Sequence, residues 1–254
     1  FYRTYRDEIA AKRTSSKYPL RRYVHQMQYE SVLRNALAGM PAGVTVLDAG
    51  CGDGVLSEML VAAGARVTGT DISEPNIVAC KAAVPLARFL VADSENLPFP
   101  DNSFDVVVSS HVLEHLPNFE KGLSELLRVG KRRVVFAIPT ILNPCSLVQV
   151  GGSQFFLFGF RSVFALVFGF LKMFWAFIVG NEGVDEGYEG LGLPHVFRFP
   201  WIIGRRATSH EASSICLPYF GSFLPVIRLL DKYRAKPILR NLGYGTTYIL
   251  EKMR

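Results

Sequence analysis

The sequence predicts an α/β fold, and three observations carry that prediction. Val44 to Gly54 reads VTVLDAGCGDG, an apolar strand that runs through Asp48 into glycines at alternate positions, Gly50, Gly52 and Gly54. The following stretch, Val55 to Ala63, has helical composition, so the glycines sit at a strand-to-helix junction. Two further strands, Ala65–Thr70 and Ala87–Ala92, are each followed at once by a carboxylate, Asp71 and Asp93. Three successive strands thus finish in Asp at the edge where open α/β sheets bind ligands. Glycine is required in such a loop because a Cβ would block both the unusual dihedrals and the approach of a nucleotide-like ligand to the main chain.

The elements follow in order. Arg21 to Leu37 places Val24, Met27, Val32, Leu33 and Leu37 at helical spacing and stops before Gly39 and Pro41, which predicts a leading helix. The glycine loop is G-x-G-x-G rather than the dinucleotide G-x-G-x-x-G, although Asp71 stands where a ribose diol would need an acceptor. Ser103–Ser109 is a fourth strand, Phe119–Val129 the helix after it, and Arg133–Ile138 a fifth strand. An acidic, glycine-rich loop is expected at Asn181–Gly192, with Asp185, Glu186, Tyr188 and Glu189. Helix is expected over Ser209–Tyr233 and a final strand at Thr246–Glu251, with the sixth strand unassigned.

DAGCGDG, TGTDIS, VADSENLPFPDNSFDVVVSSHVLEHL and the strand at Arg133–Ile138 together resemble the successive motifs of class I S-adenosylmethionine-dependent methyltransferases, in particular the subgroup with ubiquinone and menaquinone methyltransferases. The likeness covers Val44 to Pro139. It implies a Rossmann-like, doubly wound seven-stranded sheet whose last strand is antiparallel and lies beside the fifth, with an aromatic-rich helical insertion or cap. The implied organisation is a helical segment at 1–42 packing on the cofactor site, a cofactor-binding core at 43–140, the insertion or lid at 141–207, and helices with the final strand at 208–254. The implied cofactor is S-adenosylmethionine, with S-adenosylhomocysteine as product. Its binding set would be Asp48, Gly50, Cys51, Gly52, Asp71, Ile72, Asp93, Ser94 and Ser110. Asp48 would hold the loop and approach the amino end of the methionine moiety, Asp71 would accept from the ribose hydroxyls, Ile72 would pack on adenine, and Asp93 with Ser94 would contact the adenine edge.

Because the sulfonium already makes the methyl electrophilic, such a protein mainly aligns an acceptor and excludes water. A neutral acceptor also needs its proton removed, and His115 and His195 are the histidines expected near that step. The run His111-Val-Leu-Glu-His115 also matches the inverted zinc-protease pattern, but it leaves a strand directly and meets Pro117 two residues later, so no metal is expected.

Charge separates the chain into a core and flanks. The net value of +6 combines +5 over residues 1–34, −7 over 35–130 and +8 over 131–254. Basic flanks suit an acidic substrate, nucleic acid or an anionic membrane. Nucleic acid is disfavoured because the aromatics are clustered rather than interleaved with Lys and Arg. Gly151–Gly180 holds nine phenylalanines and one tryptophan, against two charges, Arg161 and Lys172. Their separation of 11 residues brings them within about 20° around a helix, with Gln154 on the same stripe. A lid, an interfacial helix and a membrane span all remain open for this segment.

The four cysteines, Cys51, Cys80, Cys145 and Cys216, form no C-x-x-C pair and are expected as reduced thiols in a cytosolic protein. Phe1–Tyr23 is polar and basic, without the apolar run of a secretory signal. The expected activity is methyl transfer to a small hydrophobic or lipid-like acceptor at the cytosolic membrane face, with peripheral membrane contact through residues 153–180. A soluble aromatic or polyketide-like acceptor, or a cofactor-binding scaffold without turnover, are the alternatives. The oligomeric state is not readable from the sequence.

Overall fold

The computed structural model describes residues 16, 18–153, 160–186, 194–216 and 224–252. Contacts divide the chain into two units, one of residues 1–15, 29–136 and 249–254, the other of residues 16–28 and 137–248. The elements are α1 (Pro19–Leu37), β1 (Thr45–Ala49), α2 (Val55–Ala62), β2 (Arg66–Asp71), α3 (Glu74–Ala83), β3 (Arg88–Val91) and β4 (Phe104–Ser110), then α4 (Phe119–Val129) and β5 (Gly130–Pro139). They continue as α5 (Pro144–Val150), α6 (Phe160–Ile178), β6 (Gly183–Asp185), β7 (Val196–Arg198), α7 (Pro200–Gly204), β8 (Ser209–Ser214), α8 (Leu224–Asp231) and β9 (Gly245–Glu251).

The expected fold class is borne out. Seven strands form one sheet in the order β3-β2-β1-β4-β5-β9-β8, with the final strand beside the fifth and the last strands antiparallel. β1 is parallel to β2 on one side and to β4 on the other, and β2 is parallel to β3. A central parallel strand is covered on both faces, which is why Val46 and Leu47 and their neighbours Val106, Val107 and Val108 form a continuous apolar run rather than an alternating one. α4 packs Leu123, Leu126 and Val129 into the interior, and Asn118 caps its start by accepting from the Lys121 amide at 3.0 Å. Arg133 fastens the margin of the first unit: its guanidinium donates to Glu251 and to the carbonyls of Asn35 and Ala38, which close the end of α1.

The second unit has its own core, in which Leu20, Val24, Ile141, Val150, Phe197, Ile227 and Tyr244 are buried together. Three expectations are corrected here. Ser209–Ser214, expected as helix, is strand β8 and supplies the sixth strand of the sheet, while among the described residues of that stretch the α-helix is Leu224–Asp231. The segment SHEASS has no apolar alternation. Its strand state comes from pairing, in which the Ser213 and Thr247 hydroxyls meet at 2.9 Å in the interior. The acidic loop holds a short antiparallel ladder, β6 with β7, in which Val184 faces Phe197. A Cβ at Gly183 would lie 2.3 Å from the Phe197 carbonyl, so glycine is needed for that close approach. Tyr188 and Glu189 fall outside the described residues, as does Gln154.

The third correction concerns the thiols. Cys145, at the start of α5, and Cys216, just after β8, form a disulfide with Cα atoms 6.2 Å apart. They are separated by 71 residues, and only the fold brings them together. Cys51 and Cys80 are free and buried.

Candidate active site

The register sets the site. Ala49 pairs with Thr70, Asp71 with Val91, and Asp48 with Val108, so the carboxyl ends of β1, β2, β3 and β4 form one edge of the first unit. Asp48, Gly50, Asp71, Asp93 and Ser110 all stand along it.

The loop after β1 is built from left-handed glycines. Gly50, Gly52 and Gly54 have φ of 79°, 53° and 81°. Gly50 is also hemmed in, because a Cβ there would sit 2.3 Å from a methyl of Val112, whereas the space beside Gly52 is open to 4 Å. The loop is tied to β2 by the amides of Gly50 and Cys51, both donating to the Thr70 carbonyl at 2.7 and 2.8 Å. Gly54 caps α2, and a Cβ on it would meet the Cys80 sulfur at 2.9 Å. The chain can therefore bring a ligand against bare backbone at Gly52 while the flanking glycines pack against protein.

The carboxylates differ in environment. Asp48 is almost wholly buried, and its Oδ2 accepts from the Ser57 hydroxyl at 2.7 Å. Burial pushes its carboxyl up to about 7, with smaller contributions from the charges of Asp71 and Asp53, against the opposing Ser57 hydrogen bond. Asp71 accepts from the amides of Ser73 (2.8 Å) and Gly52 (2.9 Å), so it clamps its own loop to the glycine loop. Desolvation still raises it above the ordinary carboxylate range. Asp93 is exposed and accepts from the Glu95 amide at 2.8 Å, with Ser94 buried beside it in sequence. Ile72 presents about a third of its surface to solvent at the same edge.

The family model described as a methyltransferase domain matches residues 47–138. This stretch is a methyltransferase domain. The 2-methyl-6-phytyl-1,4-hydroquinone methyltransferase of Synechocystis is 43% identical over 96 residues, 36% of this chain and 30% of that protein. The demethylmenaquinone methyltransferase of Clavibacter sepedonicus is 39% identical over 116 residues, 43% of this chain and 46% of that protein. The chain therefore spans less than half the length of both relatives. A chain in the solved complex between the Haloferax volcanii Trm112 methyltransferase activator and a methyltransferase is 17% identical, with a TM-score of 0.55 over 97% of this chain and 98% of that one, and shares the fold.

Within the methyltransferase domain, the segment after β4 gives the H-x-x-E-H run a role at this edge other than metal binding. His111 has a φ of 57°, rare for a residue with a Cβ, and its Nδ1 lies 3.1 Å from Glu114 Oε1. Glu114 is buried. The buried atoms His111 Nε2, Ser110 Oγ and Thr70 Oγ1 have no hydrogen-bond partner among the described residues, a sign that a polar ligand completes this edge. The signal for His111 was present in the H-x-x-E-H run, but its backbone strain was not. That run does not lie on a long helix, since Leu113–His115 is a single 3₁₀ turn in which the His115 amide donates to the Val112 carbonyl at 2.9 Å.

The two predicted histidines fall in different units. His115 ends the turn in the methyltransferase domain. His195 is buried in the second unit, where its Nδ1 is hydrogen-bonded to Glu186 and its ring meets Phe197 edge-on at 4.9 Å between centroids. Glu186 also accepts from Gln149 Nε2 at 3.1 Å, and Tyr244 donates its phenolic hydrogen to Gln149 Oε1 at 2.6 Å. This chain of bonds fixes the imidazole's orientation from one side.

Proposed function

We propose that this protein transfers a methyl group from S-adenosylmethionine to a small, hydrophobic, lipid-like acceptor. The observation that carries the reading is the edge of the methyltransferase domain, where three carboxylates stand at successive strand ends and a left-handed glycine loop leaves open space beside Gly52. When bound, the cofactor supplies an electrophilic methyl on a cationic sulfur, and the chain's residues hold it and exclude water. Asp71 retains acceptor capacity for the ribose hydroxyls beyond the amides it already binds. Ile72 offers an apolar surface to adenine, while Asp93 and Ser94 face the adenine edge. Asp48, whose carboxyl burial pushes up to about 7 and which accepts from the Ser57 hydroxyl, would hold the loop and approach the amino end of the methionine moiety. Cys51 and Ser110 line the same edge, and S-adenosylhomocysteine leaves as product. His111, His115 and His195 are the groups suited to take a proton from the acceptor.

A hydrophobic acceptor is supported by the names of the two quinone-related relatives and by the apolar character of α6. The same helix supports peripheral contact between residues 153–180 and a membrane. Calorimetric titration with S-adenosylhomocysteine tests the cofactor, and labelled S-adenosylmethionine incubated with a membrane lipid extract tests the acceptor. Binding in the micromolar range and label in the organic phase are expected. No binding would reduce the reading to a likeness of fold, and label confined to the aqueous phase would replace the lipid with a soluble acceptor.

A further inference from the structure

α6 divides into three sectors, and their widths are informative. At 100° per residue, Ser162, Ala165, Gly169 and Ala176 fall within about 60° of one another, and all four are buried. These small side chains let backbones touch. A Cβ on Gly169 would lie 1.9 Å from the Leu147 carbonyl of α5, and one on Gly151 would lie 1.8 Å from the Ala165 carbonyl of α6. Arg161 and Lys172 form a narrow edge beside this packing face. Lys172 donates to the Val150 carbonyl at 3.0 Å and so caps the end of α5. Beyond Leu166 and Met173, which pack against the core of the second unit, the remaining sector is about 180° wide and contains no polar side chain except the indole of a tryptophan. Phe164, Phe168, Phe170, Phe174, Trp175 and Ile178 lie on it, each exposed by half or more, Trp175 by 67%.

We propose that α6 lies flat in one leaflet of a lipid bilayer, its aromatic half-cylinder among the acyl chains, with α5 taking the place that water holds beside an ordinary interfacial helix. The inference deepens the lipid-acceptor reading and rests on it for its biological purpose, though not for its test. Sector width selects the occupant. A partner helix covers a stripe on the order of 100°, and a protein interface surrounds its apolar centre with a polar rim. A half-cylinder of aromatics whose polar border on α6 is only Arg161 and Lys172 fits a continuous apolar medium edged by charged headgroups. Arg161 stands at the border of that sector, where lipid phosphates would lie, and α6 carries no acidic residue to oppose them.

The packing face selects the depth. At 1.5 Å per residue the 19-residue helix is about 28 Å long, enough to cross the hydrocarbon. A span, however, would draw α5 inward with it. The buried Asn143 that caps α5, Ser146 and Gln149 on it, the bonded Glu186, and the Lys172 ammonium would then sit at hydrocarbon depth, where each charged group is disfavoured by several kcal/mol. Lying flat keeps all of them on the aqueous side of the aromatic face.

The test uses the whole chain with vesicles of equimolar phosphatidylcholine and phosphatidylglycerol, in a Trp201→Phe background so that Trp175 reports alone. Co-sedimentation is expected, with quenching of Trp175 strongest from lipids brominated near the headgroup. Replacing Phe168, Phe170 and Phe174 together with Ser should reduce vesicle binding roughly tenfold or more while S-adenosylhomocysteine binding stays unchanged. Quenching strongest from bromines at the chain ends would overturn the flat placement in favour of a span. Failure of the unmodified face to sediment, or equal sedimentation of the triple variant, would remove the membrane as its occupant. A concentration-dependent dimer abolished by the same three substitutions would assign the face to a second copy. S-adenosylhomocysteine binding, measured in each arm, keeps failure of docking distinct from failure of the transferase reading.

Discussion

The edge of the methyltransferase domain and helix α6 distribute polarity in opposite ways. At the edge, Val46, Leu47 and Val106–Val108 are sealed between strands, and the groups left at the strand ends are carboxylates, hydroxyls and amides. In α6 the buried groups are Ser, Ala and Gly, and the groups left outside are phenylalanines and a tryptophan. The first arrangement suits a polar ligand that must be oriented by hydrogen bonds. The second suits a medium that needs no orientation, because apolar burial is non-directional. The contrast shows that an apolar composition does not locate a core: in α6 the closest backbone approaches belong to the residues with the least side chain.

The largest expected effect sharpens the polar side of this contrast. Asp71→Ala removes the acceptor of two loop amides and of the proposed ribose contacts, and should weaken S-adenosylhomocysteine binding about a hundredfold with the circular dichroism spectrum retained. Unchanged affinity by calorimetry would detach Asp71 from the cofactor. Next comes the second unit's covalent tie. Reduction of the Cys145–Cys216 bridge should lower stability by roughly 2–4 kcal/mol, and thiol titration of the denatured, unreduced chain should find Cys51 and Cys80 alone. Titration of all four would return Cys145 and Cys216 to free thiols.

Two smaller effects probe the two faces of α6 against each other. Gly169→Ala forces a methyl into the Leu147 carbonyl and should destabilise by about 1–3 kcal/mol, whereas Phe168→Ser, on the exposed sector, should stay within about 0.5 kcal/mol in solution. Equal losses in thermal unfolding would mean that the aromatic sector is packed after all. A last effect is a slope with pH. The unfolded chain releases the Asp48 proton near the ordinary carboxylate value, but the folded chain retains it up to about 7. Across that window the folded state binds more protons, so the Asp48 contribution to stability falls as pH rises and levels off above about 7. Asp48→Asn should flatten that slope in denaturant titrations between pH 4 and 8 while weakening the cofactor; an unchanged slope would show that the carboxyl titrates normally.

Much of the methyltransferase domain was legible because its signals are local. β1 to β5 lie within a few residues of their expected ranges, and α4 matches Phe119–Val129 at both ends, since apolar runs, an Asn cap and the terminal Asp residues are written consecutively along the chain. The candidate site was legible to the same extent. Asp48, Asp71 and Asp93 could be found one strand at a time, but the left-handed backbone of His111 and the unpartnered Ser110 Oγ could not, because both depend on what neighbouring strands place around them.

The sequence by itself determined the fold class, the glycine loop, the acidic strand ends and the apolar character of Gly151–Gly180, all of which follow from periodicity and from the steric demands of single residues. Tertiary structure alone decided the rest. Strand β8 exists because Ser213 finds Thr247, not because SHEASS favours extension. The bridge joins Cys145 and Cys216 across a sequence separation of 71, which only the fold can close. The outward face of α6 was decided by α5, whose backbone lies so close that glycine, alanine and serine had to turn toward it and the aromatic rings away.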